Sequence, residues 1–265
     1  MTLSVTIGPR LQTVASFVPK GANLGDIGTD HAYLPIVLYE TQQIAKAVAI
    51  DVHEGPYQAA VAAVKARHLE AVLEVRFGDG LRPLKCGEVN VLTLAGMGGK
   101  TMLDILSARP DVLESVQDLI LQPQGAERAV RLALLGDGWR LKAEKLVEED
   151  GRIYVVMAYS KDAGWDGAGL QMLERNWIQR LRPLLENGSS LGEESQSLVQ
   201  KLVWHFGPLV LEERTDLLTR YINEYASMLL RRMEQMKKSN NAEIMAKIRE
   251  VAKELALVEG LQRWQ

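Results

Sequence analysis

The stretch from Ala22 to Pro35, Ala-Asn-Leu-Gly-Asp-Ile-Gly-Thr-Asp-His-Ala-Tyr-Leu-Pro, restricts the fold more than any other part of the chain. An apolar run ends in Asp26, a turn follows at Gly28, and a helical pattern begins with Pro35 in its first turn. That order reads as a first parallel strand delivering its carboxyl end to a ligand, where open α/β sheets bind their cofactors. The glycines decide which one. A dinucleotide fingerprint needs Gly-x-Gly-x-x-Gly, so that diphosphate can lie on backbone amides at a helix start. Reading from Gly28 gives Gly-Thr-Asp-His-Ala-Tyr, and the anionic Asp30 would repel a diphosphate. NAD and ATP are therefore disfavoured, and a cationic ligand fits better. An ordinary strand-to-helix turn remains the alternative at this point.

Strand and helix patterns alternate on both sides of this turn. Leu11, Val14, Ala15 and Val18 recur at helical spacing and should cover an edge or opening of the sheet. Lys46 to Ile50 reads as a second strand ending in Asp51, 23 residues after Gly28. A carboxylate there can accept hydrogen bonds from both ribose hydroxyls of a nucleoside, or can serve only to start the next helix. That helix is expected from Pro56 to Leu69. Leu73 to Phe77 then runs into Gly78-Asp79-Gly80-Leu81. Asp79 can take a hydrogen bond from an adenine amino group while Gly80 lets backbone approach the ring, although Gly-Asp-Gly is also a common turn.

Val89 to Ala95 is nearly continuous in apolar residues, as a strand buried on both faces should be, and it ends in Ala95-Gly96-Met97-Gly98-Gly99. That loop offers backbone to a flat base or a sulfonium but no acid or base; its glycines could equally serve strand–helix packing. Asp118 to Leu121 reads as a fifth strand before Gln122-Pro123-Gln124, and Ala126 to Leu135 as its helix. Trp139 to Val147 and Ile153 to Tyr159 flank Glu148-Glu149-Asp150-Gly151, an antiparallel hairpin signature. Seven strands closing in such a hairpin match the Rossmann-like core of class I S-adenosylmethionine methyltransferases, and a doubly wound nucleotide-binding fold without that hairpin is the structural alternative. The acid-x-Gly after the first strand resembles their motif I, except that Asp30 and Ala32 stand where that group usually has glycine.

A formal net charge of -3 argues against a surface uniformly coated for nucleic acid, although local clusters matter more than the total. Cys86 is the single cysteine, which excludes an internal disulfide and a thiolate metal cluster, and the four histidines show no ligand spacing. No metal is expected. Nothing resembles a transmembrane span or a secretory signal, so no membrane partner is expected and the chain reads as cytoplasmic.

Ser160 to Gly169 reads as a linker, and beyond it the period is helical. Gln171 to Leu185 and Glu194 to Trp204 are expected helices, separated by Asn187-Gly188-Ser189-Ser190. Leu218, Ile222, Tyr225, Leu229 and Met236 keep near-heptad spacing, and so do Ile244, Ile248, Val251, Leu255 and Val258. With Ser239-Asn240-Asn241 as stop and cap between them, the two stripes predict an all-α domain ending in an antiparallel coiled-coil hairpin at about residues 212–260. Arg231, Arg232, Lys237 and Lys238 gather near its tip. Such charges form either a solvated face or a phosphate-binding one.

Six blocks, Asp-Ile-Gly-Thr-Asp-His-Ala-Tyr-Leu-Pro, Val-His-Glu-Gly-Pro-Tyr, Gly-Asp-Gly-Leu, Leu-Ala-Gly-Met-Gly-Gly, Leu-Ile-Leu-Gln-Pro and Glu-Asp-Gly-Arg-Ile-Tyr, resemble in order the bacterial TrmK family. Those enzymes are tRNA adenine-N1 methyltransferases acting at adenine 22, and they join a class I methyltransferase core to a C-terminal coiled coil. The resemblance implies a catalytic domain over 1–160 and a helical domain over 161–265. It implies S-adenosylmethionine as cofactor, held by Asp26, Gly28, Asp51, Val52, Asp79, Gly80, Ala95 and Gly96. Asp30, His31, Tyr33, Met97, Gln122 and Pro123 are expected around the reacting centre, and tRNA on Arg231, Arg232, Lys237 and Lys238. Gln124 departs from the pattern, which has Asn there, and Trp165 to Val203 is longer than the usual linker. The alternatives are a methyltransferase for another RNA position or a small molecule, or a non-enzymatic RNA-binding module of the same fold.

Overall fold

The first strand, β1 (Ala22–Ile27), lies inside a seven-stranded sheet of order β3-β2-β1-β4-β5-β7-β6 in a computed structural model that describes residues 6–185, 193–238 and 242–263. β2 (Ile44–Asp51), β3 (Leu73–Phe77), β4 (Val91–Met97) and β5 (Asp118–Pro123) join β1 in parallel register. β7 (Arg152–Ser160) runs antiparallel to β5 and pairs with β6 (Arg140–Glu149). The turn between β6 and β7 places Asp150 and Gly151 at φ of 51° and 71°. Two positive φ values are what a two-residue turn needs to match strand twist, and Asp-Gly meets that need.

Helices cover both faces of the sheet. α1 (Pro9–Phe17), α2 (Tyr33–Glu40) and α3 (Glu54–Lys65) share one apolar core with Leu24, Ala47, Ala49, Val91, Ile120 and Val156. Residues of alternate parity on the central strands, Leu92, Leu94, Leu119 and Leu121, are also fully buried, as a doubly covered parallel sheet requires. α4 (Gly99–Ser107) packs against α6 (Glu127–Gly136), and α5 (Pro110–Glu114) leads into β5. Gly99 makes that packing close, because a Cβ there would lie 2.7 Å from the Gly125 carbonyl oxygen. Arg131 of α6 and Glu144 of β6 form a salt bridge at 2.5 Å with both side chains fully buried.

Two local departures have physical causes. α3 ends at Lys65 rather than near Leu69, because His68 adopts φ of 55° and the Leu69 N–H closes onto the Val64 carbonyl, a helix stop made by a left-handed residue. β4 and β5 extend beyond the expected strands to Met97 and Pro123, with a bulge between Ala95 and Met97. Gln122 and Pro123 are thus strand residues, both buried, and not members of an open loop.

The chain divides into two compact units, Met1–Asp166 and Gly167–Gln265. Part of the expected linker is ordered against the first unit, since Trp165 exchanges backbone hydrogen bonds with Leu141, each 2.9 Å. The second unit contains α7 (Gly167–Leu185), α8 (Glu193–Phe206), a 3-10 turn (Val210–Glu212), α9 (Asp216–Met236) and α10 (Ala242–Arg263). The expected breaks at 187–190 and 239–241 lie outside the described residues. Leu218, Ile222, Ala226 and Leu229 bury one stripe of α9, but α10 buries Val251, Glu254, Leu257, Val258 and Leu261 among α7, α8 and α9. The hairpin base is therefore part of a four-helix cluster. Nearer the tip, Met236, Ile244 and Ile248 are only half-buried.

Polar anchors hold that cluster in register. Glu174 accepts hydrogen bonds from Trp204 Nε1 at 2.6 Å and Gln200 Nε2 at 2.7 Å. Glu254 accepts from the Tyr225 hydroxyl at 2.6 Å and pairs with Lys201 at 2.8 Å. Satisfied buried carboxylates of this kind select one packing arrangement, because shifting the helices would leave a charge unpaired. Among the described residues no helix is long and apolar enough to cross a membrane, and no group of three His, Cys, Asp or Glu side chains could hold a metal ion.

Candidate active site

The carboxyl ends of β1 and β4 meet around a cleft of about 270 Å³ lined by Asp26, Gly28, Thr29, Asp30, His31, Tyr33, Ala95 and Gly96, with Arg10, Leu11, Leu34 and Gln124 completing the wall. Its floor is the turn from Gly28 to Ala32. Gly28, Asp30 and Ala32 have φ of 75°, 54° and 55°, so alternate residues are left-handed. Only Gly28 adopts this without strain; the other two stand where a glycine would sit easily and hold the conformation at a cost of about 1–2 kcal/mol each. A Cβ on Gly28 would also lie 2.8 Å from Met97 Cε, so the Met97 side chain closes directly over this glycine.

The loop is over-determined by hydrogen bonds. The Gly28 and Thr29 amides both donate to the Ile50 carbonyl, at 2.8 and 3.1 Å. The Asp30 amide donates to Asp51 Oδ2 at 3.1 Å, while Asp51 Oδ1 accepts from the His53 amide at 2.9 Å. Asp51 thereby fixes the strained residue that presents Asp30. Asp26 accepts from the hydroxyls of Thr29 and Thr93, both at 2.6 Å. Its burial outweighs these bonds and raises its carboxyl pKa above the ordinary aspartate value, with repulsion from Asp51 adding to the rise. Asp26 therefore shapes the turn from below as much as it lines the cleft.

Asp30, His31 and Tyr33 form the open side. Asp30 Oδ1 lies 3.0 Å from His31 Nδ1, and the His31 and Tyr33 rings stack at 5.1 Å between centroids. Asp30 and Tyr33 are exposed, which leaves a carboxylate and an aromatic face open to a flat substrate.

Across the β2–β3 pairing, the Gly78 amide donates to the Asp51 carbonyl at 3.0 Å, which sets the Gly78–Gly80 loop beside Asp51. Arg76 ties this loop down by bonding Glu88 at 2.6 and 2.8 Å and the Pro83 carbonyl at 2.8 Å, and it pushes the Glu88 pKa down to about 2. Asp79 is half-exposed and pairs with Arg82 at 3.2 Å, Gly80 has φ of 56°, and Val52 is 48% exposed. These three residues lie beyond the walls of the cleft, toward the β3 side of Asp51.

Two expected site residues lie outside the walls of the cleft. Gln122 is fully buried, and its Oε1 accepts from the Gly96 amide at 3.0 Å and from Arg10 Nη1 at 2.8 Å. Pro123 is buried in β5 and its carbonyl takes the Gln122 side-chain amide at 2.9 Å. Neither faces the cleft, because β5 continues two residues farther than its apolar run suggests. Gln122 sets the shape of the Gly96 loop instead. Sequence reasoning also missed Arg10, Thr29, Thr93 and Glu149. Arg10 follows Pro9 at an ordinary helix start, and its partners lie 112 and 139 residues away, so no local signal marks it.

The chain is similar to known methyltransferases. A profile of the Methyltransferase domain family matches residues 7–157, more than half of the chain. The tRNA (adenine(22)-N(1))-methyltransferase of Bacillus subtilis strain 168 is 40% identical over 167 residues, covering 62% of this chain and 70% of that protein. The crystal structure of the B. subtilis M1A22 tRNA methyltransferase TrmK superposes with a TM-score of 0.76 at 27% identity, over 97% of this chain and 99% of that one. Streptococcus pneumoniae Sp1610 in complex with S-adenosyl-L-methionine gives 0.70 at 32% identity, over 94% and 100%.

Proposed function

Because the chain belongs to the TrmK family of S-adenosylmethionine-dependent tRNA (adenine(22)-N1)-methyltransferases, we propose that the cleft at the ends of β1 and β4 is where it transfers a methyl group to N1 of adenine 22 in tRNA. The observation that carries this reading is the exposed carboxylate of Asp30 with the His31–Tyr33 stack, set on a left-handed loop beside the Gly96 turn. Purified protein incubated with unmodified tRNA and the cofactor should leave one methyl on adenine 22 by mass mapping of digests. Methylation elsewhere, or none, counts against it.

The residues fit the cofactor. S-adenosylmethionine supplies an electrophilic methyl on a sulfonium. Asp51 at the end of β2 suits the ribose hydroxyls, Val52 and the Asp79–Gly80 backbone suit the adenine ring, and Gly28, Ala95 and Gly96 let backbone come close. What supports this is donor-set chemistry: three acids at three strand ends, and an Asp30 carboxylate where a diphosphate would need amides.

Adenine N1 has a lone pair and no proton, so no base must act before attack. The protein must hold N1 in line and stabilise the charge that reaches the base, which is the work of positioning and fixed electrostatics. Asp30 is assigned to that charge, Tyr33 to stacking on the unstacked adenine, and His31 to orienting Asp30 through its 3.0 Å contact. Asp30→Asn keeps the shape and tolerates the left-handed backbone. Turnover should fall about ten- to hundredfold, a range below that of a buried electrostatic stabiliser because Asp30 is exposed. Cofactor affinity should change much less; equal losses in both would make Asp30 a cofactor-binding residue instead.

The tRNA is assigned to the tip of the α9–α10 hairpin. Arg231, Arg232, Lys237 and Lys238 are all exposed, and none of them makes an ion pair among the described residues, whereas Lys247 is engaged with Glu243 at 2.7 Å. Neutralising the four should raise the KM for tRNA and reduce the salt slope of binding by about one unit per lost phosphate contact, with cofactor affinity unchanged. A slope equal to the parent's would move tRNA binding to the catalytic unit.

A further inference from the structure

Gln124 lines the same cleft as Asp30 and Tyr33, and it is the one side-chain amide among the described residues that do. Its backbone is fixed at the end of β5: its N–H donates to the Met97 carbonyl at 2.8 Å, and the next carbonyl, of Gly125, accepts from the Gly99 amide at 3.2 Å. Gly125 and Ala126, at φ of 92° and 58°, then turn the chain into α6, which leaves Gln124 at the rim of the cleft. Gln122, two residues back, commits its own amide to Gly96, Arg10 and the Pro123 carbonyl. Gln124 is exposed, and among the described residues its side-chain amide makes no hydrogen bond. An exposed glutamine without partners is ordinary on a surface; the place of this one sets it apart. β4 lies between β1 and β5, so Gln124 and the Asp30–Tyr33 segment flank the Gly96 turn from opposite sides.

A flat base methylated at N1 must keep the N1 lone pair clear for the incoming methyl group. Hydrogen bonds that identify the base must then fall on its other polar edge, where adenine presents its N6 amino group as donor and N7 as acceptor. A glutamine amide matches that pair, with Oε1 accepting from N6 and Nε2 donating to N7. Guanine presents O6 and N7 there, two acceptors, so either orientation of the amide sets its oxygen against one of them. The contact also strengthens as the reaction proceeds, because positive charge passing onto the ring makes N6–H a better donor. We propose that Gln124 reads the N6/N7 edge of the target adenine and so selects the base while leaving N1 free. The inference rests on the adenine-N1 reading above and names the residue that recognises the base within it.

The test uses the full chain and two tRNAs that differ at position 22 alone, one with adenine and one with 7-deazaadenine, which replaces N7 by CH and keeps N1 and N6. The factor by which this swap lowers kcat/KM should be about 3- to 10-fold larger in the parent than in Gln124→Ala, the range of one hydrogen bond. Any intrinsic change in N1 reactivity cancels between the two proteins. On the adenine tRNA, Gln124→Ala should lose about 10- to 100-fold in kcat/KM, the range of a bidentate base contact. Gln124→Asn, shorter by one methylene, should restore part of both effects. Calorimetric affinity for S-adenosylhomocysteine should be the same in parent and Gln124→Ala, which also shows that the variant is folded. An equal 7-deaza factor in the two proteins overturns the proposal, and so does parent-like kcat/KM of Gln124→Ala on the adenine tRNA. Lost cofactor affinity overturns it too, reducing Gln124 to a support for the Gly96 turn. A parent that leaves adenine 22 unmethylated defeats the adenine-N1 reading itself.

Discussion

Arg131→Met should lower the unfolding free energy of the first unit by about 3–5 kcal/mol, because it takes the guanidinium away from the buried Glu144 carboxylate. Both side chains are fully buried, and Arg131 is the largest side chain among the described residues with so little exposure. In a unit of this size the loss corresponds to a fall in Tm of about 6–20 °C. Replacing both partners, Arg131→Met with Glu144→Leu, should recover most of the stability, since two desolvation penalties vanish together with their attraction. Thermal unfolding of the parent, the two single variants and the double variant closes the cycle. A single-variant loss below 1 kcal/mol would mean that water reaches the pair. The nearby Tyr159 hydroxyl reports the same environment: burial drives its pKa up, and the Glu144 carboxylate adds to the rise.

Asp51→Ala should weaken cofactor binding by about 1.5–3 kcal/mol, roughly 10- to 150-fold, if its carboxylate meets the ribose hydroxyls. Turnover should fall as well, for a reason visible only in three dimensions. Asp51 Oδ2 accepts the amide of Asp30, and that bond helps hold Asp30 at φ of 54°. Removing it releases strain at Asp30 and lets the Asp30 carboxylate drift. Asp51→Asn should not rescue either property. Its amide group would set a donor against one of two backbone N–H donors, Asp30 or His53. Circular dichroism establishes that the variant is folded and calorimetry reads the affinity; an unchanged affinity in folded Asp51→Ala would sink the ribose assignment.

Several parts of the molecule were legible in the sequence because they rest on local physics. A short apolar run of β-branched residues bounded by turn signals suits a strand of a covered sheet, Asp-Gly suits a tight hairpin turn, and a heptad stripe needs a helical partner. The seven strands, the hairpin at Asp150-Gly151 and the α9–α10 pair follow from these alone. The acids at the strand ends were legible for the same reason, since parallel strands in register must bring Asp26, Asp51 and the loop after Phe77 to one edge.

Tertiary structure decided what each of those residues does there. Asp30 and Ala32 keep a glycine-like backbone without being glycine, because hydrogen bonds from the Gly28, Thr29 and Asp30 amides to β2 supply the free energy that local propensity withholds. Gln122 is buried away from the cleft because a strand continues through it, and Arg10 lines the cleft because α1 packs across β4 to β7. Composition and periodicity report which faces are apolar. They carry no record of contacts across 112 or 139 residues, where side chains are brought together only after the sheet has formed.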